Sequence, residues 1–243
     1  MTYDILVIAG TADSRAFIEE KLKEGNTILA SVATDLGREM LNPYPIDVHV
    51  GRLDLEGFSN LIREKQVKKV ADASHPFAEI VSRTVREACR ITGIPYQRVE
   101  RTVIDYDYDR IHVVPDVREA VSCLNDMEGP VLLTTGVNTA AQYYAGVSEA
   151  SERLYIRVLD TPASYEGCRN AGFPDEHVFG EMPPYSVEDN LRLIKKTGAR
   201  VMVSKDSGKT GGVDIKVEAC KASGIPMILI QRPGQQTEGG EKR

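Results

Sequence analysis

No stretch of the 243 residues approaches the ~20 consecutive apolar residues of a membrane-spanning helix, which excludes a helical membrane protein. The opening residues, MTYDILVIAG, lack the basic stretch and cleavage site of a secretory signal and read as a buried strand, so the expected location is the cytoplasm. Cysteine is sparse. Cys89, Cys123, Cys168 and Cys220 are too far apart for any Cys-x-x-Cys pair, which argues against a zinc site or a redox dithiol and for reduced, mostly buried thiols. The four histidines are equally dispersed, so no metal centre is expected. Positive charge is in deficit: the formal net charge is −6 with no long basic run, which makes nucleic acid a poor partner. An anionic ligand would need basic residues gathered in a cleft. Familiar catalytic signatures are missing too: no Tyr-x-x-x-Lys pair, no Gly-x-Ser-x-Gly elbow, no His-Glu-x-x-His and no P-loop.

What is present is ordinary globular composition, 42% hydrophobic and 27% charged, in a chain long enough for two small cores. The first half alternates short β-branched runs (4–10, 27–34, 47–51, 67–74, 94–100) with helical stretches (11–25, 55–66, 77–93). In the first of these helices Phe17, Ile18 and Leu22 share a face and Gly25 is the stop. Strands alternating with crossover helices predict a parallel sheet covered on both faces. Residues 102–114 are acidic, tyrosine-rich and aperiodic, and read as a connection. The rhythm then restarts, with strands expected at 129–136, 154–160 and 225–233, a short strand and a Pro-rich turn at 177–185, and a strand running into a polar loop at 199–208. Helices are expected at 117–125, 186–198 and 213–224, the middle one opened by Ser186 as N-cap with Asp189 three residues on. The resulting division is a nucleotide-binding domain at 1–101, a connection at 102–114, a second domain at 115–233 and a disordered tail at 234–243.

Chemistry-bearing residues fall where strands run into loops. Gly10, Thr11, Asp13, Ser14 and Arg15 lie between the first strand and its helix, where backbone N–H groups and a glycine suit a phosphate, although the three-glycine fingerprint is incomplete; a plain capped turn is the bland reading. Ser31 stands where an NAD-preferring fold places an acid; with Thr34, and with Arg15 or Arg38 nearby, it leans towards a 2′-phosphate and NADPH, with NADH as the alternative. His75, Pro76 and Phe77 follow the fourth strand, with Pro76 suited to a helix start and His75 able to donate a hydrogen bond or proton. Thr135 and Gly136 end one strand of the second half; Lys205, Asp206, Ser207, Gly208 and Lys209 end another and form a candidate anion site, a polar turn being the bland reading. Arg98, Arg101, Lys205 and Lys209 are candidates for carboxylate recognition, each equally readable as a solvated charge.

Taken together, AGTADSR, DASHPFAEIVSRTVREACRITGIPYQRVER, LLTTG, VSKDSGK and GIPMILIQRP resemble the precorrin-6A reductase family, in order and over nearly the whole chain. The resemblance implies an α/β protein of two Rossmann-like parallel-sheet domains facing each other across a cleft, with a nicotinamide cofactor and a tetrapyrrole between them. It implies hydride delivery beside the direct ring junction of the macrocycle and protonation of the neighbouring carbon. On matching motifs Gly10, Thr11, Asp13, Ser14 and Arg15 would hold the cofactor phosphates. His75, Pro76 and Phe77 would lie near the nicotinamide, His75 and Lys205 being the catalytic candidates, and Lys205, Asp206, Ser207 and Gly208 would close the site, with Thr135, Gly136 and Asp206 among the substrate contacts. Two departures stand out: Ala9-Gly10-Thr11 with Asp13-Ser14-Arg15 where the family often has Gly-Gly-Thr with Glu-Gly-Arg, and Val137 where Arg or Ser is common after Thr-Thr-Gly. The rival readings are an S-adenosylmethionine methyltransferase, against which the missing acid at Ser31 speaks, and a non-catalytic nucleotide sensor on the same scaffold. The expected assembly is a monomer or small homo-oligomer.

Overall fold

The computed structural model describes residues 2–99, 106–208 and 211–233. The chain forms two compact units, Met1–Thr102 and Val103–Arg243.

The first unit is built on strands β1 (Ile5–Ile8), β2 (Ile28–Val32), β3 (Asp47–Val50), β4 (Lys69–Asp72) and β5 (Tyr96–Arg98). They form one parallel sheet in the order β3-β2-β1-β4-β5. β1 and β2 are buried throughout, as expected for central strands covered on both faces. Helices α3 (Leu55–Glu64) and α4 (Glu79–Thr92) cover one face, where Phe58, Ile62, Val85 and Cys89 meet Leu6, Ile8 and Leu29. Helix α1 (Ala12–Lys23) covers the other, with Ile18 buried among Ile5, Val7, Ile28 and Ala30 and with Phe17 and Leu22 packed around it. Beyond α1, Gly25 takes a φ of 83° that reverses the chain into β2. A short helix α2 (Asp35–Glu39), capped by Thr34, buries no residue, so the apolar pattern does not announce it.

The second unit carries six parallel strands, β6 (Ile111–Val114), β7 (Val131–Leu133), β8 (Leu154–Val158), β9 (Val178–Gly180), β10 (Val201–Lys205) and β11 (Met227–Ile230), in the order β6-β11-β10-β7-β8-β9. Helices α9 (Val187–Thr197) and α10 (Val213–Ser223) pack with Leu132, Met202, Met227 and Leu229 on one face. The predicted capping box of α9 is present: Ser186 and Asp189 each accept the other's backbone N–H. Helices α5 (Val117–Asn125), α6 (Ala140–Gly146), α7 (Ala150–Arg153) and α8 (Pro162–Ala171) complete the unit.

Three sequence expectations need correcting. The stretch 102–114 is not all connection, because Ile111–Val114 pairs in parallel with β11 as an edge strand. Its exposure, with Val113 half in solvent, removes the apolar alternation that would have marked it. Pro76 does not open helix α4: a turn closed by the Ala78 N–H to the His75 carbonyl intervenes, and the helix begins at Glu79. Between β7 and β9 the chain also carries helices α6, α7 and α8, where the sequence predicts none. The tail expected at 234–243 lies outside the described residues.

Candidate active site

In the first sheet the chain leaves β1 towards β2 and β3 and returns to β4 on the opposite side of β1, so the topological switch point lies between the C-terminal ends of β1 and β4. In open parallel sheets this is where ligands bind. The two loops expected to carry chemistry in this half leave those strands, and the Thr11 hydroxyl ties them together by donating to the Ala73 carbonyl at 2.9 Å.

The first loop is heavily self-bonded. Ser14 is fully buried. Its hydroxyl accepts from the backbone N–H groups of Gly10 (3.2 Å) and Thr11 (3.1 Å) and donates to the Thr11 carbonyl (2.7 Å), while Thr11 caps the helix by accepting from the Ser14 N–H. Ser14 thus shapes the loop from beneath. Gly10 has a φ of 116°, and nothing lies within 4 Å of where its Cβ would stand, so a ligand can approach its backbone closely. That open position, over the N-terminus of a twelve-residue helix, fits a dinucleotide phosphate. Asp13 lies in the first turn, where the helix dipole favours its charge, so a bound phosphate needs a counter-charge such as Arg15. The Arg15 guanidinium is exposed and reaches the Met40 sulfur at 3.6 Å. Ser31 is buried on β2, and Thr34 is exposed and occupied in capping α2.

On the β4 side, His75 is exposed. Its Nδ1 accepts from the Phe77 N–H at 3.3 Å, and the two rings lie 5.8 Å apart. Beneath this loop is a polar network that sequence reasoning did not anticipate. Asp72 is fully buried at the end of β4 and receives the Arg98 guanidinium at 2.7 Å, the Tyr96 hydroxyl at 2.8 Å and the Ser74 N–H at 3.1 Å. Arg98 also donates to the hydroxyls of Ser74 and Ser82 and to the Ser74 carbonyl. Burial pushes the Asp72 carboxyl up, but the hydrogen bonds and the guanidinium outweigh it and hold it below the ordinary aspartate value. Arg98, expected to meet a ligand carboxylate, is therefore committed to the loop that carries His75. Arg101 lies outside the described residues.

The second sheet repeats this logic. From β7 the chain moves outward to β8 and β9 and returns to β10 on the other side of β7, so the switch point lies between β7 and β10. Thr134 crosses it, donating both its N–H and its hydroxyl to the Val203 carbonyl. Thr135 is buried and its hydroxyl accepts from Thr139, and Gly136 takes a φ of 77°. The expected Thr135–Gly136 and Lys205–Gly208 loops are thus neighbours. Asp206 organises the latter: it accepts from the Gly208 N–H at 3.1 Å and the Tyr106 hydroxyl at 3.3 Å, and pairs with Arg232 at 3.2 Å. Arg232 donates in addition to the Asp206 carbonyl. The Ser207 hydroxyl donates to the Gly211 carbonyl. Lys205 is half-buried, and desolvation lowers its ammonium below the ordinary lysine value. Lys209 lies outside the described residues. Arg232 was missed as a site residue, although it sits in the GIPMILIQRP segment; its signal was only an arginine just past a buried strand.

Two surface grooves, of about 470 and 620 Å³, run along α3 and α4 beside Asp54, Arg63 and Ile91 and beside Arg52, Ile80 and Arg83. None of the expected site residues lines them. Among the described residues no group of three His, Cys, Asp or Glu side chains could hold a metal ion, and no helix is long and apolar enough to cross a membrane.

Two doubly wound parallel sheets, each gathering its polar loops at its own switch point, define a protein of the Rossmann-like α/β class. The family model described as Precorrin-6x reductase CbiJ/CobK matches residues 4–242, and the chain belongs to that family. It is 37% identical over 230 residues to a cobalt-precorrin-6A reductase of Priestia megaterium, covering 94% of this chain and 90% of the relative. It is 32% identical over 241 residues to a cobalt-precorrin-6A reductase of Salmonella typhimurium, covering 98% and 90%. A solved structure titled CobK precorrin-6A reductase superposes with a TM-score of 0.77 at 26% identity, covering 97% of this chain and 90% of that one. The chain is therefore a reductase of cobalamin biosynthesis, and its family implies a nicotinamide cofactor. The methyltransferase and nucleotide-sensor readings find no support in these relatives.

Proposed function

We propose that this chain reduces precorrin-6A, or its cobalt complex, to the 6B form with NADPH as hydride donor, the cobalt form being favoured by the names of the two relatives above. The observation that carries the reading is the Thr11–Ala73 hydrogen bond, which brings the Gly10–Arg15 and His75–Phe77 loops together at the ligand edge of the first sheet. Gly10 and Thr11 receive the pyrophosphate. Arg15 receives the 2′-phosphate, Ser31 standing at the position where an NAD-preferring fold places an acid. His75, Pro76 and Phe77 border the nicotinamide, which when bound supplies the hydride. The protein's part is orientation. The Asp72–Arg98 network holds the His75 loop, and Asp206 with Arg232 holds the loop from which Lys205 meets a substrate carboxylate. Thr135 and Gly136 supply further substrate contacts. Four free cysteines support a reducing compartment, the cytoplasm.

The test is anaerobic turnover of precorrin-6A and of its cobalt complex, following the loss of nicotinamide absorbance with NADPH and with NADH. The expected result is oxidation of one cofactor per macrocycle, with the higher kcat/KM for NADPH. Tight cofactor binding without any tetrapyrrole-dependent oxidation would overturn the reading.

A further inference from the structure

A polycarboxylate substrate needs cations, yet Arg98, expected to supply one in the first unit, is committed to Asp72. Two other arginines of this unit are uncommitted. Among the described residues neither Arg52 nor Arg83 forms an ion pair, a hydrogen bond or a ring contact, and both line the groove of about 620 Å³. That groove lies at the ligand edge of the first sheet. Arg52 and Leu55 sit where the chain leaves the C-terminal end of β3 and opens α3. Ile80 and Arg83 belong to the opening turns of α4, which follows β4. Ile80 comes three residues after Phe77, so the groove adjoins the His75–Phe77 loop along the chain.

The acids of the groove are occupied. Asp54 caps α3, accepting from the Gly57 N–H at 2.8 Å, and Glu87 is held by Arg90 through hydrogen bonds of 2.9 and 2.7 Å. Its apolar side chains are uncovered: Ile80 is 75% exposed, more than any other large apolar side chain among the described residues, and Leu55 is 38% exposed. A solvated arginine or an exposed leucine by itself carries no message. Here two guanidinium groups without partners share one concavity with two bare aliphatic side chains, in a chain of net charge −6 that must gather positive charge locally to hold an anion. We propose that this groove is a subsite for the tetrapyrrole: Arg52 and Arg83 receive carboxylates on its rim, and Ile80 and Leu55 lie against the edge of the macrocycle. The planar fork of a guanidinium pairs both oxygens of a carboxylate and is weakly hydrated, so it suits such an anchor better than an ammonium. Held by one edge, the macrocycle is oriented towards the nicotinamide beside His75.

This inference rests on the reading that the chain reduces a tetrapyrrole, so binding and turnover are measured separately. Precorrin-6A is titrated by equilibrium dialysis without cofactor, and KM for the macrocycle, the dissociation constant for NADPH and the thermal melt are determined alongside. The variants are Arg52→Gln, Arg83→Gln, their double variant and Ile80→Asp. Lys23→Gln, at the end of α1 and so at the opposite edge of the sheet, removes the same charge as a control. Each arginine change should weaken macrocycle binding and raise KM about tenfold, the loss of one charged hydrogen-bonded contact at an accessible site, and the double variant about a hundredfold. Ile80→Asp, which sets a like charge beside the rim carboxylates, should cost at least as much as either. NADPH binding and the melt should not move, because neither arginine holds anything in the protein, and Lys23→Gln should match the wild type throughout. Wild-type macrocycle affinity in the double variant overturns the subsite. So does an equal loss in Lys23→Gln, or a parallel loss of NADPH affinity. If the wild type binds the macrocycle but oxidises no NADPH, the reductase reading falls, and the dialysis alone decides the subsite.

Discussion

Replacing Arg98 by Met separates two roles for one residue. If Arg98 served only a ligand carboxylate, the change would raise KM and leave the melt alone. In the structure its guanidinium is the counter-ion of Asp72, which has no exposure at all, and it also bonds Ser74 and Ser82. Removing one partner of a fully buried ion pair costs about 3–5 kcal/mol. Here a quarter of the Arg98 side chain stays in water, and Asp72 keeps the Tyr96 hydroxyl and the Ser74 N–H, so about 2–3 kcal/mol is the better figure. For a unit of this size that is a fall of about 10–15 °C in Tm. The pH dependence supplies the control. The folded Asp72 carboxyl is held below its ordinary value, so its contribution is fully present above the unfolded aspartate value of about 3.9 and is lost as pH falls through the lower folded value. The Tm gap between wild type and Arg98→Met should be full at neutral pH and should narrow as pH drops below about 4. Calorimetric melts at three or four pH values would show this. A gap under about 3 °C at neutral pH, or one that does not narrow in acid, would refute the structural role and return Arg98 to the substrate.

Other changes probe the loops. In Gly10→Val the added Cβ meets no atom within 4 Å but the residue must adopt a φ of 116°, so the change should cost about 1–3 kcal/mol and abolish NADPH binding; nicotinamide fluorescence at the parent's affinity would place the cofactor elsewhere. Ser14→Ala leaves the Gly10 and Thr11 N–H groups without their acceptor and should cost about 1–3 kcal/mol by chemical denaturation, with cofactor affinity falling alongside; an unchanged midpoint would mean that the loop finds other partners. Arg15→Ala should weaken NADPH far more than NADH, removing a charged contact worth about 1.5–3 kcal/mol, and equal affinities in the parent would point instead to Asp35 holding the ribose. Lys205→Ala should lower kcat/KM for the tetrapyrrole while barely moving the melt; if both stay put, Thr135 and Asn138 are the next candidates.

The parallel sheets were legible because their central strands are continuous apolar runs, as Ile5–Ile8 and Ile28–Val32 show, and because helices such as α9 carry their caps in sequence. Elements without an apolar signature were not. Helix α8 has a Thr161 cap, Pro162 at its start and Gly172 at its end, yet buries only Ser164 and Cys168, and Gly167 stands where a Cβ would lie 2.5 Å from Val137. Its inner face is small and polar because its neighbours come close, and hydrophobic periodicity misses such a helix. The site divided in the same way. The loops at strand ends could be found from local order alone, since glycines and hydroxyls after buried strands mark them. The residues that brace those loops come from distant segments: Arg98 bonds Ser74 across 24 residues, and Arg232 reaches Asp206 across 26. Nothing local distinguishes a bracing arginine from a solvated one.

The return of the chain across each sheet also has a consequence for biosynthesis on the ribosome. The Thr11–Ala73 contact joins residues 62 apart, the Thr134–Val203 contact residues 69 apart, and Tyr108 finds its acceptor at Ile225, 117 residues on. Each switch-point edge therefore comes into being only when its last central strand emerges, after two strands have already been laid on the other side. Edge strand β6 must wait with its pairing groups open until β11, the last strand among the described residues, arrives. Such wiring is slow to close, and the waiting strand is the place where a nascent chain is most open to mispairing.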